Sequence, residues 1–184
     1  MKVLVAYASR YGATQGIAER IGEELTQAGV DAEVRAVRSV SGVDGYDAFV
    51  VGSALYMAHW EKDGLTFVRR NAAALAAKPV WLFSSGPVGT GSTDANGRDV
   101  RANAGPQELA EITAATHPRD HHVFFGALTL SKLRGMHRAL AKLPAARKLF
   151  IEGDFRDWDE IASWTRVIAA DLAETRAAAT PAPA

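Results

Sequence analysis

Apolar positions along the chain alternate between two rhythms, and that alternation predicts the architecture. Lys2 to Tyr7 is a short, β-branched apolar run that reads as a strand. Past the polar stretch Ser9-Arg10-Tyr11-Gly12, the residues Ile17, Ala18, Ile21, Leu25 and Ala28 recur at helical spacing. Thr14 stands near the start of that helix, where a hydroxyl can accept from free backbone N–H groups, and Gly29 stands where the helix needs a cap. Ala32 to Val37 alternates apolar and charged residues and predicts a second strand. Asp47 to Ser53 predicts a third, buried on both faces. Leu65, Val68, Ala72 and Leu75 mark one face of a helix over 62–77, and Pro79 opens a fourth strand over 80–84.

The second half is less regular. Ser85 to Gly105 is rich in Gly, Ser, Asn and Asp and reads as a long loop, of the kind that carries function. A helix starts near Pro106, His122 to Ala127 predicts a fifth strand, and Asp157 to Ala173 predicts a helix with Ile161, Trp164, Ile168 and Leu172 facing inward. The Ala/Pro tail over 175–184 is expected to be disordered, leaving one domain over 1–174. Strands separated mostly by helices need crossover connections, so the expected fold is a doubly wound α/β domain around a parallel sheet. In such sheets ligands sit beyond the carboxyl ends of the strands, which turns attention to the loops after strands one, three and four.

Composition narrows the chemistry. The 184 residues are 48% hydrophobic and 23% charged with zero formal net charge, as in ordinary folded domains. There are no cysteines, which excludes disulfides, thiolate zinc sites, cysteine-ligated iron–sulfur clusters and a cysteine nucleophile. Redox chemistry would have to come from a bound cofactor. The apolar start Val3 to Tyr7 is too short for a secretory signal or a membrane span, so a cytoplasmic location is expected, and no nucleic-acid partner is expected.

Three loops carry candidate chemistry. Ser9-Arg10-Tyr11-Gly12-Ala13-Thr14 joins a strand to a helix N-terminus and offers hydroxyls, a tight turn and unpaired N–H groups, a fit for a phosphate. No G-x-x-x-x-G-K-[ST], G-x-G-x-x-G or G-x-S-x-G occurs, which points away from NTPase, dinucleotide and serine hydrolase readings and leaves a mononucleotide. After the third strand, Ser53-Ala54-Leu55-Tyr56-Met57 runs on to Trp60, and a flat aromatic ligand could pack there. Trp60 could equally pack onto the following helix, and Tyr56 less readily. After the fourth strand, Ser84-Ser85-Gly86-Pro87-Val88-Gly89 offers hydroxyls and backbone donors at close approach. Histidines 117, 121 and 122 lie close together, but Pro118 breaks their helical spacing and no metal site is expected.

The opening V-A-Y-A-S-R-Y-G-A-T, the V-G-S-A-L-Y of the third strand, and the late F-G-A-L and G-D-F-R-D-W-D-E-I resemble the flavodoxin-domain family, and within it the menaquinone-dependent protoporphyrinogen IX dehydrogenases. The resemblance runs over nearly the whole chain up to the tail. It implies a flavodoxin-like five-stranded sheet in the order 2-1-3-4-5 with FMN as cofactor. By the same resemblance Ser9 to Thr14 hold the phosphate, Ser53 to Met57 flank the isoalloxazine and Ser84 to Gly89 reach the ring edge. It further implies oxidation of protoporphyrinogen IX, a step of haem biosynthesis, with electrons passing through FMN to a membrane quinone. Two features depart from those dehydrogenases: Tyr11 stands where a small acidic residue is expected, and Ser85 to Gly105 is Gly-rich where theirs is more basic. No catalytic side chain is assigned, because the flavin supplies the redox chemistry.

One segment stands apart. Lys132, Arg134, Arg138, Lys142, Arg147 and Lys148 fall within 131–150, where no acidic residue occurs, and Leu133, Met136, Leu140 and Leu143 recur among them at helical spacing. This reads as a basic amphipathic insertion suited to peripheral membrane contact or to porphyrin carboxylates, or else as a solvated helix on the domain. The competing functional class is a flavodoxin-like electron carrier serving redox-protein partners, against which the neutral balance and the basic segment count.

Overall fold

The computed structural model describes residues 1–86, 88, 99–101, 104–141 and 151–179. Its elements are β1 (Lys2–Ala8), α1 (Ala13–Gln27), β2 (Asp31–Ala36), β3 (Ala48–Tyr56), β4 (His59–Trp60), α2 (Lys62–Ala76), β5 (Val80–Ser85), α3 (Leu109–Thr116), β6 (Asp120–Phe124), β7 (Ala127–Leu128), α4 (Gly135–Leu140), β8 (Gly153–Asp154) and α5 (Trp158–Ala179). Five strands lie side by side as β2-β1-β3-β5-β6, every neighbouring pair parallel. With the short β4 left out of the count, this is the 2-1-3-4-5 order. The register sets Val5 opposite Val34 on one side and Val50 on the other.

Strand side chains point alternately to the two faces, so the core divides in two. On one face Leu4, Phe49, Val51 and Leu82 pack with Phe67, Val68 and Leu75 of α2 and Ile112 of α3. On the other, Val3, Val5, Val50 and Phe83 pack with Ile17, Ile21 and Leu25 of α1 and with Ile161, Trp164, Ile168 and Leu172 of α5. Each fully buried side chain of this kind contributes about 1.5–3 kcal/mol. Helix α1 ends as its sequence indicates: Gly29 adopts φ +79°, its N–H donates to Thr26 O at 3.0 Å, and the Val30 N–H donates to Leu25 O at 3.0 Å.

Several boundaries differ from expectation. Strand β3 runs on to Tyr56 and then turns back through β4, which pairs antiparallel with it, Leu55 opposite Trp60. The fifth strand of the sheet begins at Asp120 and ends at Phe124, two residues before Gly126; Ala127–Leu128 leaves the sheet to pair with Gly153–Asp154. Helix α3 starts at Leu109, Pro106 lying in the turn before it. Helix α5 continues to Ala179, past the expected start of the tail, and residues 180–184 lie outside the described residues. The basic segment is not helical from its start: a 3₁₀ turn over Leu130–Lys132 precedes α4, Leu133 between them is buried, and residues 142–150 lie outside the described residues. No helix among the described residues is long and apolar enough to cross a membrane.

Candidate functional site

The loop from β1 to α1 turns at Gly12, whose φ of +95° is the left-handed conformation that glycine adopts without strain. Its N–H donates to Ser9 Oγ at 3.1 Å, closing the turn. The first intrahelical bond runs from the Gly16 N–H to Gly12 O at 3.1 Å, so the N–H groups of Ala13, Thr14 and Gln15 have no acceptor within the helix. Thr14 does not cap the helix: it lies one residue inside it, fully buried, and its Oγ1 has no hydrogen-bond partner among the described residues. A buried hydroxyl without a partner, beside free N–H groups at a positive helix end, has the chemistry of an anion receptor.

The hairpin after β3 forms the facing wall. Met57 and Ala58 take left-handed φ values of 50° and 61° at its tip, and Met57 is 93% exposed. The tip is tied down by Glu108, whose Oε1 lies 2.6 Å from His59 Nδ1, and by the Gln107 N–H, which donates to Ala58 O at 2.8 Å. Burial acts to raise the Glu108 carboxyl, but the hydrogen bonds from His59 and from backbone N–H groups outweigh it and hold the group below its ordinary value. Arg10 joins this wall to the phosphate-type loop through an ion pair to Glu61 Oε2 at 2.9 Å and by lying 4.7 Å over the Tyr56 ring. Burial pushes the Tyr56 phenol above its usual range, so it stays protonated.

Between these loops lies a cavity of about 570 Å³. Of the residues expected in the site, Ser9, Arg10, Tyr11, Ala13, Thr14, Ala54, Leu55, Tyr56, Met57, Ser85, Gly86 and Val88 line it. Gly12 lies behind, in an adjoining cleft of about 250 Å³ that also holds Lys132 and Arg156. Ser53 and Ser84 do not line the cavity. Ser53 Oγ donates to Ala54 O and accepts from the Glu61 N–H, and Ser84 Oγ accepts from Trp60 Nε1 at 2.8 Å and lies 2.9 Å from His121 Nε2. Both serines are turned inward by strand alternation and act in the core. Trp60 resolves the same way, as a buried core residue, while Tyr56 faces the cavity. Pro87 and Gly89 lie outside the described residues.

A further wall, which the sequence pattern did not single out, is made by Gly126, Ala127 and Leu128 after β6 and by Leu140 of α4. The first three follow the carboxyl end of the fifth strand, the same signal that marked the other loops, and the F-G-A-L run contains them.

An FMN would require an anion receptor at one end of the cavity and a largely apolar slot for a flat ring at the other. The unpartnered Thr14 hydroxyl with the free N–H groups of α1 fits the first, and Leu55, Tyr56, Val88 and Leu128 fit the second.

Comparison with known proteins agrees with the fold. The chain is 25% identical to the protoporphyrinogen IX dehydrogenase [quinone] of Escherichia coli K12 over 179 residues, covering 92% of this chain and 95% of the relative. A flavodoxin from Streptococcus pneumoniae superposes with a TM-score of 0.55 at 15% identity, covering 95% of this chain and 99% of the other. A flavodoxin from the domain Archaea superposes with a TM-score of 0.53 at 21% identity, covering 75% and 92%. Residues 4–148, most of the chain, match the family model described as Flavodoxin domain, so this chain belongs to the flavodoxin domain family and FMN is its cofactor.

Proposed function

We propose that the 570 Å³ cavity holds the FMN and that the protein is a quinone-linked oxidoreductase acting on a porphyrinogen. In this reading Ser9 to Thr14 receive the phosphate. Ala54 to Met57 and the backbone of Ser85, Gly86 and Val88 flank the ring from two sides, and Gly126 to Leu128 close a third. When bound, FMN supplies reversible two-electron redox chemistry. The chain's own residues bind it, orient it and keep water from its apolar faces. Arg10 is held between Glu61 and Tyr56 and fixes the hairpin against the phosphate loop.

The observation that carries the substrate reading is the apolar rim. Met57 and Leu140 both line the cavity, and both are exposed, 93% and 39%. Large exposed apolar side chains at a cavity mouth favour a flat hydrophobic substrate and a hydrophobic acceptor over the charged docking face of a carrier. The name of the Escherichia coli relative supports the same pairing of porphyrinogen and quinone. Arg134, Arg138, Lys142, Arg147 and Lys148 supply positive charge for peripheral contact with an anionic membrane, where such an acceptor resides.

The test is anaerobic turnover of protoporphyrinogen IX by the FMN-loaded protein, with a soluble naphthoquinone as acceptor and porphyrin fluorescence as readout. Porphyrin formation that requires both FMN and the quinone is expected. A fully flavinated protein that forms no porphyrin, yet takes electrons from a flavodoxin reductase, would sink the reading and leave an electron carrier.

A further inference from the structure

Three cations among the described residues surround the loop Ser9 to Thr14, and two of them are satisfied within the protein. Arg10 is paired with Glu61 at 2.9 Å. Arg156 is paired with Asp154 at 2.5 Å, lies 4.3 Å over the Trp158 ring and donates to Ala13 O at 3.3 Å. The third, Lys132, forms no ion pair with any described residue. Its Nζ lies 3.7 Å from the point where a side chain on Gly12 would begin, directly against the turn at the head of α1.

That position is held by the backbone. Lys132 closes a 3₁₀ turn whose N–H groups are bonded, Lys132 N to Thr129 O at 3.0 Å and Leu133 N to Leu130 O at 3.2 Å. Leu130 N–H donates to Glu152 Oε1 at 2.9 Å, and the neighbouring Leu133 side chain is buried and anchors the turn. Of the two carboxylates that share the cleft with Lys132, Asp154 is paired with Arg156 and Glu152 accepts from the Leu130 N–H, and neither forms an ion pair with Lys132.

An ammonium group beside the positive end of a helix gains nothing from the helix dipole in the protein alone. A phosphate dianion between the two is attracted to both. We infer that Lys132, carried in from the segment after β7, is a binding residue for the FMN phosphate and completes the receptor that the loop Ser9 to Thr14 begins. The inference rests on the cavity being the FMN site. The head of the basic insertion is then held against the cofactor, so cofactor binding and the placement of residues 129–133 stabilise each other.

Riboflavin, which is FMN without the phosphate, isolates the interaction. Apoprotein, Lys132→Gln and Lys132→Arg are titrated with FMN and with riboflavin, followed by quenching of flavin fluorescence at low and at high salt. Loss of one charge-assisted contact is expected to raise the dissociation constant of Lys132→Gln for FMN about tenfold or more. Riboflavin affinity stays unchanged, Lys132→Arg recovers most of the loss, and salt weakens FMN binding less in Lys132→Gln than in the native protein. Equal FMN affinity in Lys132→Gln and native protein overturns the inference and leaves the cavity reading standing. So does a Lys132→Gln variant that loses riboflavin and FMN alike, since that is damage to the fold. Native apoprotein that binds neither flavin overturns the cavity reading, and the inference with it.

Discussion

Tyr11 and Tyr56 meet edge to face, their ring centroids 6.1 Å apart and their planes at 68°, and this contact joins the loop after β1 to the hairpin after β3 across the cavity. Such aromatic pairs contribute about 0.5–1.5 kcal/mol beyond the area they bury. In Tyr56→Ala the apolar wall and the tie are both lost, while the core beneath is untouched. FMN affinity is expected to fall about tenfold, with a stability loss of about 1–3 kcal/mol once the burial lost with the ring is added to the aromatic contact. Flavin titration and urea unfolding of the same preparation check both halves.

Thr14 separates the demands of folding from those of binding. Its buried Oγ1 has no partner among the described residues, so the hydroxyl costs the apoprotein stability, and in the proposed site the FMN phosphate would supply that partner. Thr14→Val keeps the shape and removes the polar atom. The apoprotein is expected to gain up to about 1–3 kcal/mol, the cost of an unsatisfied buried hydroxyl, while FMN binds more weakly. An apoprotein destabilised by this change would contradict the assignment.

Gly12 isolates backbone strain, because a Cβ there would meet Lys132 Nζ only at an ordinary 3.7 Å. Crowding is therefore not the obstacle; the φ of +95° is. Gly12→Ala is expected to cost about 1–2 kcal/mol, the penalty for an L side chain in the left-handed region. For a chain of this size each kcal/mol lowers Tm by roughly 2–4 °C, which differential scanning calorimetry resolves.

His121 gives the protein a pH dependence above the range in which its lowered carboxylates titrate. Burial, together with the charge of His122, holds the imidazole below its ordinary 6.5 against the opposing pull of Asp120. The neutral ring is the favoured form in the folded chain, beside Ser84 Oγ at 2.9 Å. Below pH 6.5 the unfolded chain takes up a proton that the folded chain resists, so stability falls from there down to the lowered folded value and then levels. His121→Gln is expected to remove that slope, as read from urea midpoints between about pH 5 and 8.

The parallel sheet and most helix positions were legible because each element carries its own period: Val3 to Tyr7 cannot be a surface helix, and Ile17, Ile21 and Leu25 cannot line a strand. The cavity was legible as loops at strand ends, and Thr14, Tyr56 and Gly86 from those loops line it. It was less legible residue by residue. Ser53 and Ser84 look like ligand donors in sequence, but strand alternation turns them to the core, where Glu61, Trp60 and His121 use their hydroxyls. Lys132 was visible only as one charge in a basic run. Its place against Gly12 depends on the buried Leu133 and on the pairing of β7 with β8, residues far apart in the chain that no local pattern connects.

The position of the flavin decides every functional statement made of these residues, and a crystal structure of the protein soaked in or purified with FMN measures it most directly. The expected result is phosphate density at the head of α1 beside Thr14, with the ring lying between Tyr56 and Gly86. Flavin density anywhere outside the cavity bounded by Ser9–Thr14, Ala54–Met57 and Gly126–Leu128 would contradict it.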